Sequence, residues 1–290
     1  MKKMKTAIIG TGNIGMDLLM KIRQSDVLEC GIFAGKHIDS PNMIMARQMG
    51  VPVTEESIGY IKRHPDCCQI VFDATSAAVH RQNAPVLDKL GKFVVDLTPS
   101  HVGEFCVPVI NLDSAVKKCA NVNMVTCGGQ AAVPLVYAIS QVQPDIRYIE
   151  VVATIASKSA GPGTRNNIDE FTQTTREAVT HFTGIKNAKA IIVLNPAEPP
   201  VVMHNTIYML IDRPDMAKIQ EAAGQMERKV KKYVPGYHIV TGPVYENGRI
   251  TITLQVIGSG DYLPQYAGNL DIITCAAMEA ANAYARKYGG

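Results

Sequence analysis

Cys127 is the residue best placed in this sequence to act as a nucleophile. It stands within Asn123 to Gln130, where a strand-like run gives way to a helical pattern. Proline is tolerated in a first helical turn, so Pro134 predicts regular helix from about Ala131 to Val133. Cys127-Gly128-Gly129 then forms the turn ahead of it. Unbonded N–H groups and the positive end of the helix dipole gather at such a turn, and both lower a thiol pKa.

A buried structural cysteine is the alternative interpretation of Cys127, because single cysteines usually pack as small apolar residues. The glycine pair Gly128-Gly129 favours the nucleophile, since it removes side-chain bulk from one side of the thiol. We therefore predict that Cys127 is presented to a pocket.

A glycine-rich segment near the start of the chain predicts a dinucleotide site. It follows a short buried strand, Thr6 to Ile9, and opens a helical stretch, Ile14 to Arg23. In that setting the G-x-G-x-x-G pattern brings a pyrophosphate close to the backbone at a helix N-terminus. The residues of the pattern are Gly10, Thr11, Gly12, Asn13, Ile14 and Gly15.

The choice between NAD and NADP stays open at the end of the second predicted strand, Leu28 to Phe33. An acidic residue that binds the ribose is expected there, but the chain continues with Lys36 and His37. These two side chains can meet a 2′-phosphate, whereas Asp39 can still reach a ribose. Both NAD and NADP are compatible with these residues.

The order of predicted elements indicates an α/β fold with two domains. Strands and helices alternate in the first half, which predicts a Rossmann-type, doubly wound parallel sheet. The second half reads as a mixed α+β domain, and an alanine-rich helix closes the chain. We expect a nucleotide-binding domain over residues 1–129, to which the helix at 269–290 returns, and a second domain over 130–268. The main predicted strands of the second half are Tyr148–Ala156, Lys189–Leu194, Val201–Ile211, Tyr237–Tyr245 and Ile250–Ile257.

Composition excludes several classes of function. The net charge is +3 without a long Lys/Arg cluster, so neither nucleic acid nor a membrane surface is an expected partner. Seven cysteines without a C-x-x-C pair predict thiols in a cytoplasmic protein. No apolar run reaches the ~20 residues of a membrane helix. The histidines show no metal-ligand spacing, and we expect no metal.

Longer motifs resemble the CoA-acylating acetaldehyde dehydrogenases that pair with a 4-hydroxy-2-oxovalerate aldolase in aromatic hydrocarbon catabolism. The resemblance covers nearly the whole chain. It implies a Rossmann domain and a catalytic and dimerisation domain, as in glyceraldehyde-phosphate and semialdehyde dehydrogenases. The motifs are Gly10–Gly15, Asp73–Ser76, Asp96–Pro99, Asn123–Gln130, Ser157–Arg165, Asn195–Pro200 and Tyr262–Asp271.

The same resemblance implies the reaction and its residues. Acetaldehyde or propanal, CoA and NAD⁺ would give acyl-CoA and NADH, with Cys127 carrying the acyl group, in a homodimer. Besides Thr11 to Ile14, the implied cofactor contacts are Ser159, Ala160, Gly161, Pro162, Gly163, Thr164, Arg165, Asn166, Asn167 and Asn269.

This chain departs from the family at three places. His37 stands where members usually have aspartate. Asn205 stands where they often have aspartate. A short hairpin turning at Glu246-Asn247-Gly248 replaces a longer insertion.

Several roles stay open from the residues alone. His204 and Glu198 are weak candidates for a base, and Arg165 is either a phosphate ligand or a surface residue. The backbone N–H groups of Cys127 and Gly128, with the Gln130 amide, are candidate oxyanion donors. A phosphorylating semialdehyde dehydrogenase and a non-catalytic NAD-binding redox sensor are the alternative functions.

Overall fold

The chain folds into two compact units. The structure is a computed structural model that describes residues 3–118 and 121–289, without the side chains of residues 117, 118, 162 and 163. The first unit comprises Met1–Met124 and Thr274–Gly290, and the second comprises Val125–Ile273.

The first unit is built on a parallel sheet with strand order β3-β2-β1-β4-β5-β7-β6. This confirms the predicted Rossmann-type fold. Two very short strands, β3 and β6, and the helix α5 were not predicted. The elements are β1 (Met4–Ile9), α1 (Asn13–Gln24), β2 (Leu28–Ala34), α2 (Pro41–Gln48), β3 (Val53–Thr54), α3 (Ile58–Arg63), β4 (Ile70–Asp73), α4 (Ala77–Lys89), β5 (Phe93–Asp96), β6 (Glu104–Phe105), α5 (Pro108–Lys118) and β7 (Asn121–Asn123).

The central strands of this sheet are apolar because both faces are covered. All four residues of β4 and of β5 are buried, as are the last four of β1, which is why these strands read as uninterrupted apolar runs. The strand order reverses at β1, between β2 and β4. Ligands of doubly wound sheets bind beyond the carboxyl ends of the strands at such a point.

The second unit contains a mixed five-stranded sheet with order β11-β12-β10-β8-β9. The β8–β9 pair is parallel and the other pairs are antiparallel. The α+β prediction for this half is confirmed. The elements are α6 (Cys127–Val142), β8 (Tyr148–Ala156), α7 (Pro162–Asn166), α8 (Ile168–Thr183), β9 (Ala188–Asn195), β10 (Met203–Leu210), α9 (Met216–Val230), β11 (Tyr237–Glu246) and β12 (Arg249–Val256).

One face of this sheet packs against helices α6, α8 and α9. Strand β10 shows the alternation clearly, since Met203, Asn205 and Ile207 are buried while His204 and Thr206 are half-exposed. Strands β11 and β12 are joined through Asn247 and Gly248, both at positive φ, which is the geometry of a tight hairpin turn.

The last helix, α10 (Gly268–Tyr288), belongs to the first unit from Thr274 onward. The Thr274 hydroxyl donates to Asp17 Oδ2 of α1 at 2.5 Å, and the ring of Tyr284 stacks on Phe93 of β5 at a centroid distance of 4.1 Å. These contacts attach the closing helix to the nucleotide-binding fold.

Within the described residues, no helix combines the length and apolar character that crossing a membrane requires.

Candidate functional site

Cys127 is the first residue of α6, not part of a turn ahead of it. Thr126 is the N-cap, and its hydroxyl accepts a hydrogen bond from the Gly129 N–H at 2.9 Å. The predicted start near Ala131 was therefore wrong, and Pro134 lies inside the helix. Threonine is a preferred N-cap, so a capping signal was present in the sequence. The predicted strand Val122 to Thr126 also ends early, at Asn123.

The division between the units follows from this helix. Because α6 packs on α8 and α9, its first residue, Cys127, belongs to the second unit. The boundary expected from the sequence lies between residues 129 and 130.

The glycine pair after Cys127 allows close packing and does not clear space around the thiol. A Cβ on Gly128 would lie 2.9 Å from the Phe171 ring and 3.1 Å from the Ala153 Cβ. A Cβ on Gly129 would lie 2.5 Å from Val125 Cγ1. These glycines let the first turn of α6 approach α8 and β8. The prediction that they remove side-chain bulk from one side of the thiol was therefore wrong.

The thiol of Cys127 is more basic than the sequence predicted. Burial raises its pKa to about 12, which outweighs the hydrogen bonds from the backbone N–H groups of Gly128 and Cys127. The residue nevertheless keeps part of its surface accessible. The expected N–H donors are in place, but desolvation decides the direction of the shift, so Cys127 is a protonated thiol at neutral pH.

The backbone just before Cys127 is strained. Val125 has φ of 61°, a conformation that a β-branched residue rarely adopts and that tends to occur at functional sites. The Thr126 hydroxyl, besides capping α6, lies 2.7 Å from the Thr175 hydroxyl of α8, which donates to the Phe171 carbonyl. The hydrogen bonds of Thr126 to α6 and α8 thus fix the position of the backbone from which the Cys127 side chain extends.

Neither predicted base candidate is supported by its contacts. His204 lies on the half-exposed face of the sheet, opposite to the face that packs on α6, and its Nδ1 is 3.2 Å from the Val202 carbonyl. Glu198 forms an exposed ion pair with Lys158 at 2.6 Å. Gln130 is fully buried within α6.

The glycine segment of the first unit has two different kinds of glycine. Gly10 has φ of 102°, and a Cβ there would lie 2.4 Å from the Ala74 carbonyl oxygen. A Cβ on Gly15 would lie 1.9 Å from the Gly10 carbonyl oxygen, whereas a Cβ on Gly12 meets nothing within 4 Å. Two glycines are required by the fold, and Gly12 leaves open space in front of α1.

The N-terminus of α1 is suited to an anion. Its N-cap, Gly12, offers no side-chain hydrogen bond, and its first turn contains no acidic residue. Backbone N–H groups in that position bind phosphate oxygens. A pyrophosphate in the space beside Gly12 fits these features.

A cavity of about 310 Å³ adjoins this segment. It lies beyond the ends of β1, β2 and β4. The lining residues are Gly10, Thr11, Ala34, Gly35, Lys36, His37, Ser57, Thr75, Ser76 and Val79.

Comparison with known proteins decides the family. Residues 127–264 match the family described as prokaryotic acetaldehyde dehydrogenase, dimerisation. An acetaldehyde dehydrogenase of Spirochaeta aurantia is 50% identical over 98% of this chain and 96% of its own length. Acetaldehyde dehydrogenase 2 of Metapseudomonas furukawaii is 52% identical over 99% of this chain and 95% of its own. The chain belongs to the prokaryotic acetaldehyde dehydrogenase family.

A more distant likeness supports the fold of this family member. The crystal structure of aspartate semialdehyde dehydrogenase II from Vibrio cholerae, complexed with ASA, matches with a TM-score of 0.66. It covers 99% of this chain and 100% of its own at 12% identity. At that identity the likeness concerns the arrangement of the elements alone.

The segment expected to contact the cofactor in this family member is folded on itself. The Arg165 guanidinium donates to the Ala160 carbonyl at 3.0 Å, and to the carbonyl and hydroxyl of Ser157 at 2.8 Å each. Arg165 thus holds the turn between β8 and α7. Of Pro162 and Gly163 only the backbone is described, so the prediction for their side chains lies outside the described part.

Asn269 is one of the predicted cofactor residues with an incomplete hydrogen-bond set. It is 1% exposed at the start of α10, and its Oδ1 has no hydrogen-bond partner within the described chain. A buried amide oxygen normally has a partner, so this atom is available to a ligand.

A buried network of ionisable side chains at the ends of β4 and β5 was not predicted from the sequence. His80 Nδ1 lies 2.9 Å from Asp73 Oδ2, and its Nε2 lies 3.4 Å from Asp96 Oδ2, with all three side chains fully buried. The signal was present as two Asp-x-Thr motifs, because Asp73 and Asp96 each accept a hydrogen bond from the N–H two residues on, that of Thr75 and Thr98.

Burial and mutual contacts shift the pKa values of Asp96 and His80 in this network. Burial raises the pKa of Asp96 to about 6, only partly offset by His80 and by hydrogen bonds from Ser100 and Thr98. Burial lowers the pKa of His80, but the hydrogen bond to Asp73 and the charges of Asp96 and Asp73 outweigh it, so the pKa is raised. The network therefore holds the turn at Thr75, which lines the cavity, because Asp73 bonds both the Thr75 N–H and the His80 ring.

Within the described residues, no group of three or more His, Cys, Asp or Glu side chains is arranged to hold a metal ion.

Proposed function

We propose that this protein oxidises acetaldehyde, or propanal, to the acyl-CoA thioester, with NAD⁺ as hydride acceptor and Cys127 as nucleophile. Supporting it are the membership in the acetaldehyde dehydrogenase family and the position of Cys127. The single observation that carries the proposal is a half-buried cysteine at the first residue of α6, whose sulfur is hydrogen-bonded by two backbone N–H groups.

The chemistry begins with addition of the Cys127 sulfur to the aldehyde carbon. Because the group is a thiol at neutral pH, its proton passes by way of water to the carbonyl oxygen as the carbon–sulfur bond forms, and the product is a neutral thiohemiacetal. The N–H groups of Cys127 and Gly128 are the donors proposed for that oxygen, since preorganised donors stabilise developing charge.

Loss of the hydride from the thiohemiacetal carbon, and of the hydroxyl proton to water, then leaves an acyl-thioester on Cys127. The CoA thiolate attacks its carbonyl carbon, the bond to the Cys127 sulfur breaks, and acyl-CoA departs. Covalent catalysis of this kind divides a reaction of three components into two displacements.

The first unit is proposed to bind the dinucleotide through Gly10 to Gly15. The open position at Gly12, the uncapped N-terminus of α1 and the adjoining cavity fit a pyrophosphate and an adenosine ribose. Bound NAD⁺ supplies the hydride acceptor. Asn269 and residues Ser159 to Asn167 remain the proposed further contacts, with Arg165 positioning their turn.

A direct assay tests this function. Purified protein is mixed with NAD⁺, acetaldehyde and either CoA or phosphate, and NADH is followed by absorbance. We expect sustained NADH formation with CoA alone. Sustained turnover with phosphate alone would favour a phosphorylating dehydrogenase. Absence of turnover with either would favour a redox sensor.

The assembly is proposed to be a homodimer in the cytoplasm. The matched family region is the dimerisation region, and it contains the five-stranded sheet with one half-exposed face. Sedimentation at micromolar concentration should give twice the mass of 31.4 kDa. A sedimenting monomer with full activity would contradict this.

Pairing with a 4-hydroxy-2-oxovalerate aldolase remains a prediction from the resemblance. Capture from the source cell, followed by measuring whether aldolase product is oxidised without mixing with added free aldehyde, tests it. Recovery of an active dimer without aldolase would count against channelling and leave the catalytic proposal intact.

A further inference from the structure

The residues directly after β2 form one wall of the nucleotide cavity. In Rossmann folds this position meets the adenosine ribose, where an acidic side chain binds the 2′-hydroxyl of NAD and a cationic one accommodates the 2′-phosphate of NADP. Here the wall consists of Gly35, Lys36 and His37.

The charge of the cavity suits a phosphate. Lys36 and His37 are its ionisable side chains, and none of the described residues that line it carries a carboxylate. Asp39, which the sequence offered as a ribose ligand, is exposed and does not line the cavity. Glu56, beside the lining residue Ser57, is in an ion pair with Arg63.

The position of this wall is determined by hydrogen bonds. The Gly35 N–H donates to the Thr54 carbonyl at 2.9 Å, and the Asn42 amide donates to the Thr11 carbonyl at 2.9 Å. A Cβ on Gly35 would lie 2.7 Å from the Thr11 hydroxyl oxygen. The absence of a side chain at Gly35 therefore keeps Lys36 and His37 next to the glycine segment.

The cavity also offers a neutral donor. Ser57, which precedes α3 with φ of 51°, lines it together with Lys36 and His37. An ammonium, an imidazole N–H and a hydroxyl together match the oxygen acceptors of a phosphate monoester.

We propose that this site takes NADP as well as NAD, with Lys36 and His37 as ligands of the 2′-phosphate. The inference rests on the proposed dinucleotide function and deepens it. It means that the departure at His37 from the acidic residue usual in the family changes cofactor selection.

Binding of the adenosine half tests the inference without any aldehyde chemistry. ADP-ribose and 2′-phospho-ADP-ribose are titrated into the full-length protein by calorimetry at low and physiological ionic strength. The phosphorylated probe should bind at least as tightly as ADP-ribose, and its advantage should shrink with salt because charge pairs are screened.

Three variants locate the effect. Lys36→Ala should weaken 2′-phospho-ADP-ribose by about tenfold, the loss expected for one charge-assisted hydrogen bond, and leave ADP-ribose nearly unchanged. His37→Asp should reverse the preference, because a carboxylate repels the phosphate and binds a ribose hydroxyl. Lys89→Ala, at the exposed end of α4, is the matched control and should change neither affinity.

Two results would overturn the inference. If ADP-ribose binds but the phosphorylated probe binds more than about tenfold more weakly, the site selects NAD and the proposed function stands. If Lys36→Ala weakens both probes equally, Lys36 does not read the 2′-phosphate. Binding of neither probe would overturn the dinucleotide site itself.

Discussion

The Asn205 amide nitrogen donates to the Gly128 carbonyl at 3.0 Å, and so connects β10 to the residue directly after Cys127. Asn205 is fully buried. Because a carbonyl can only accept, the amide nitrogen must face it, which leaves the Asn205 Oδ1 without a hydrogen-bond partner in the described part of the chain. Asn205 of β10 therefore supplies a neutral hydrogen-bond donor to the first turn of α6.

Removing this donor should weaken both fold and activity. Asn205→Ala leaves the Gly128 carbonyl with one partner fewer in a buried place, which we expect to cost about 1–3 kcal/mol in the free energy of unfolding. Turnover should fall because the first turn of α6 loses a restraint. Urea denaturation and steady-state kinetics measure the two effects.

Two further variants make that test specific. Asn187→Ala removes an exposed asparagine of the same unit and should change stability little. Asn205→Asp keeps the shape but can donate to the carbonyl only while its carboxyl group is protonated, so the stability of this variant should fall as pH rises. If Asn205→Ala proves as stable as Asn187→Ala, the hydrogen bond from Asn205 to Gly128 does not contribute to stability.

Variants of the glycine segment can separate an effect on stability from an effect on dinucleotide binding. In Gly12→Ala the new Cβ enters open space, and φ of −77° with ψ of −164° suits any residue. Its stability should therefore hold or rise by up to about 1 kcal/mol, while ADP-ribose affinity falls by at least about tenfold. Thermal melting and calorimetry provide the measurements.

Gly15→Ala is the comparison for Gly12→Ala. Its Cβ would lie 1.9 Å from a backbone oxygen, so this variant should lose stability even without ligand. Equal behaviour of the two variants would show that the open space at Gly12 is not where a pyrophosphate lies.

Features of the fold and of the site differ in how well they could be predicted from the sequence. The alternation of buried strands with helices was enough to predict the parallel sheet, whereas the dinucleotide site predicted from the glycine spacing stays a prediction. The start of α6 was harder to predict, since the rule for Pro134 outweighed the capping signal of Thr126. The direction of the Cys127 pKa shift could not be predicted, because desolvation depends on packing against residues that are distant in sequence.

Stability of the first unit should depend on pH through His80. Its folded pKa is raised, so the folded chain keeps a proton that the unfolded chain releases. That stabilisation is complete below about pH 6.5, the ordinary value, and is lost as pH rises through the folded pKa. The pKa of Asp96 is also raised, to about 6, so its contribution to stability likewise falls as pH rises from about 4 to 6.

A pair of histidine variants checks this dependence. Melting temperature is measured from pH 6 to 8 for the wild type, His80→Gln and His64→Gln, the last being exposed. The decline with pH should be present in the wild type and His64→Gln and be reduced in His80→Gln. A decline of the same steepness in His80→Gln would mean that another group titrates.

The raised pKa of Cys127 predicts the pH dependence of its reaction. The thiolate is the reactive form, and with a pKa of about 12 its fraction grows about tenfold per pH unit from pH 7 to 9. Alkylation of Cys127 by iodoacetamide, followed by peptide mass spectrometry, should accelerate accordingly. A rate already constant above pH 7 would show an acidic thiol and contradict the structure.

The acyl-enzyme itself provides the most direct test of the account. Enzyme is incubated with acetaldehyde and NAD⁺ without CoA, quenched, digested and analysed by mass spectrometry. We predict an acetyl group on the Cys127 peptide, formed together with a burst of about one NADH per active site and removed by adding CoA, with neither product in Cys127→Ala. NADH formation that leaves Cys127 unmodified, or that persists in Cys127→Ala, would contradict the central claim.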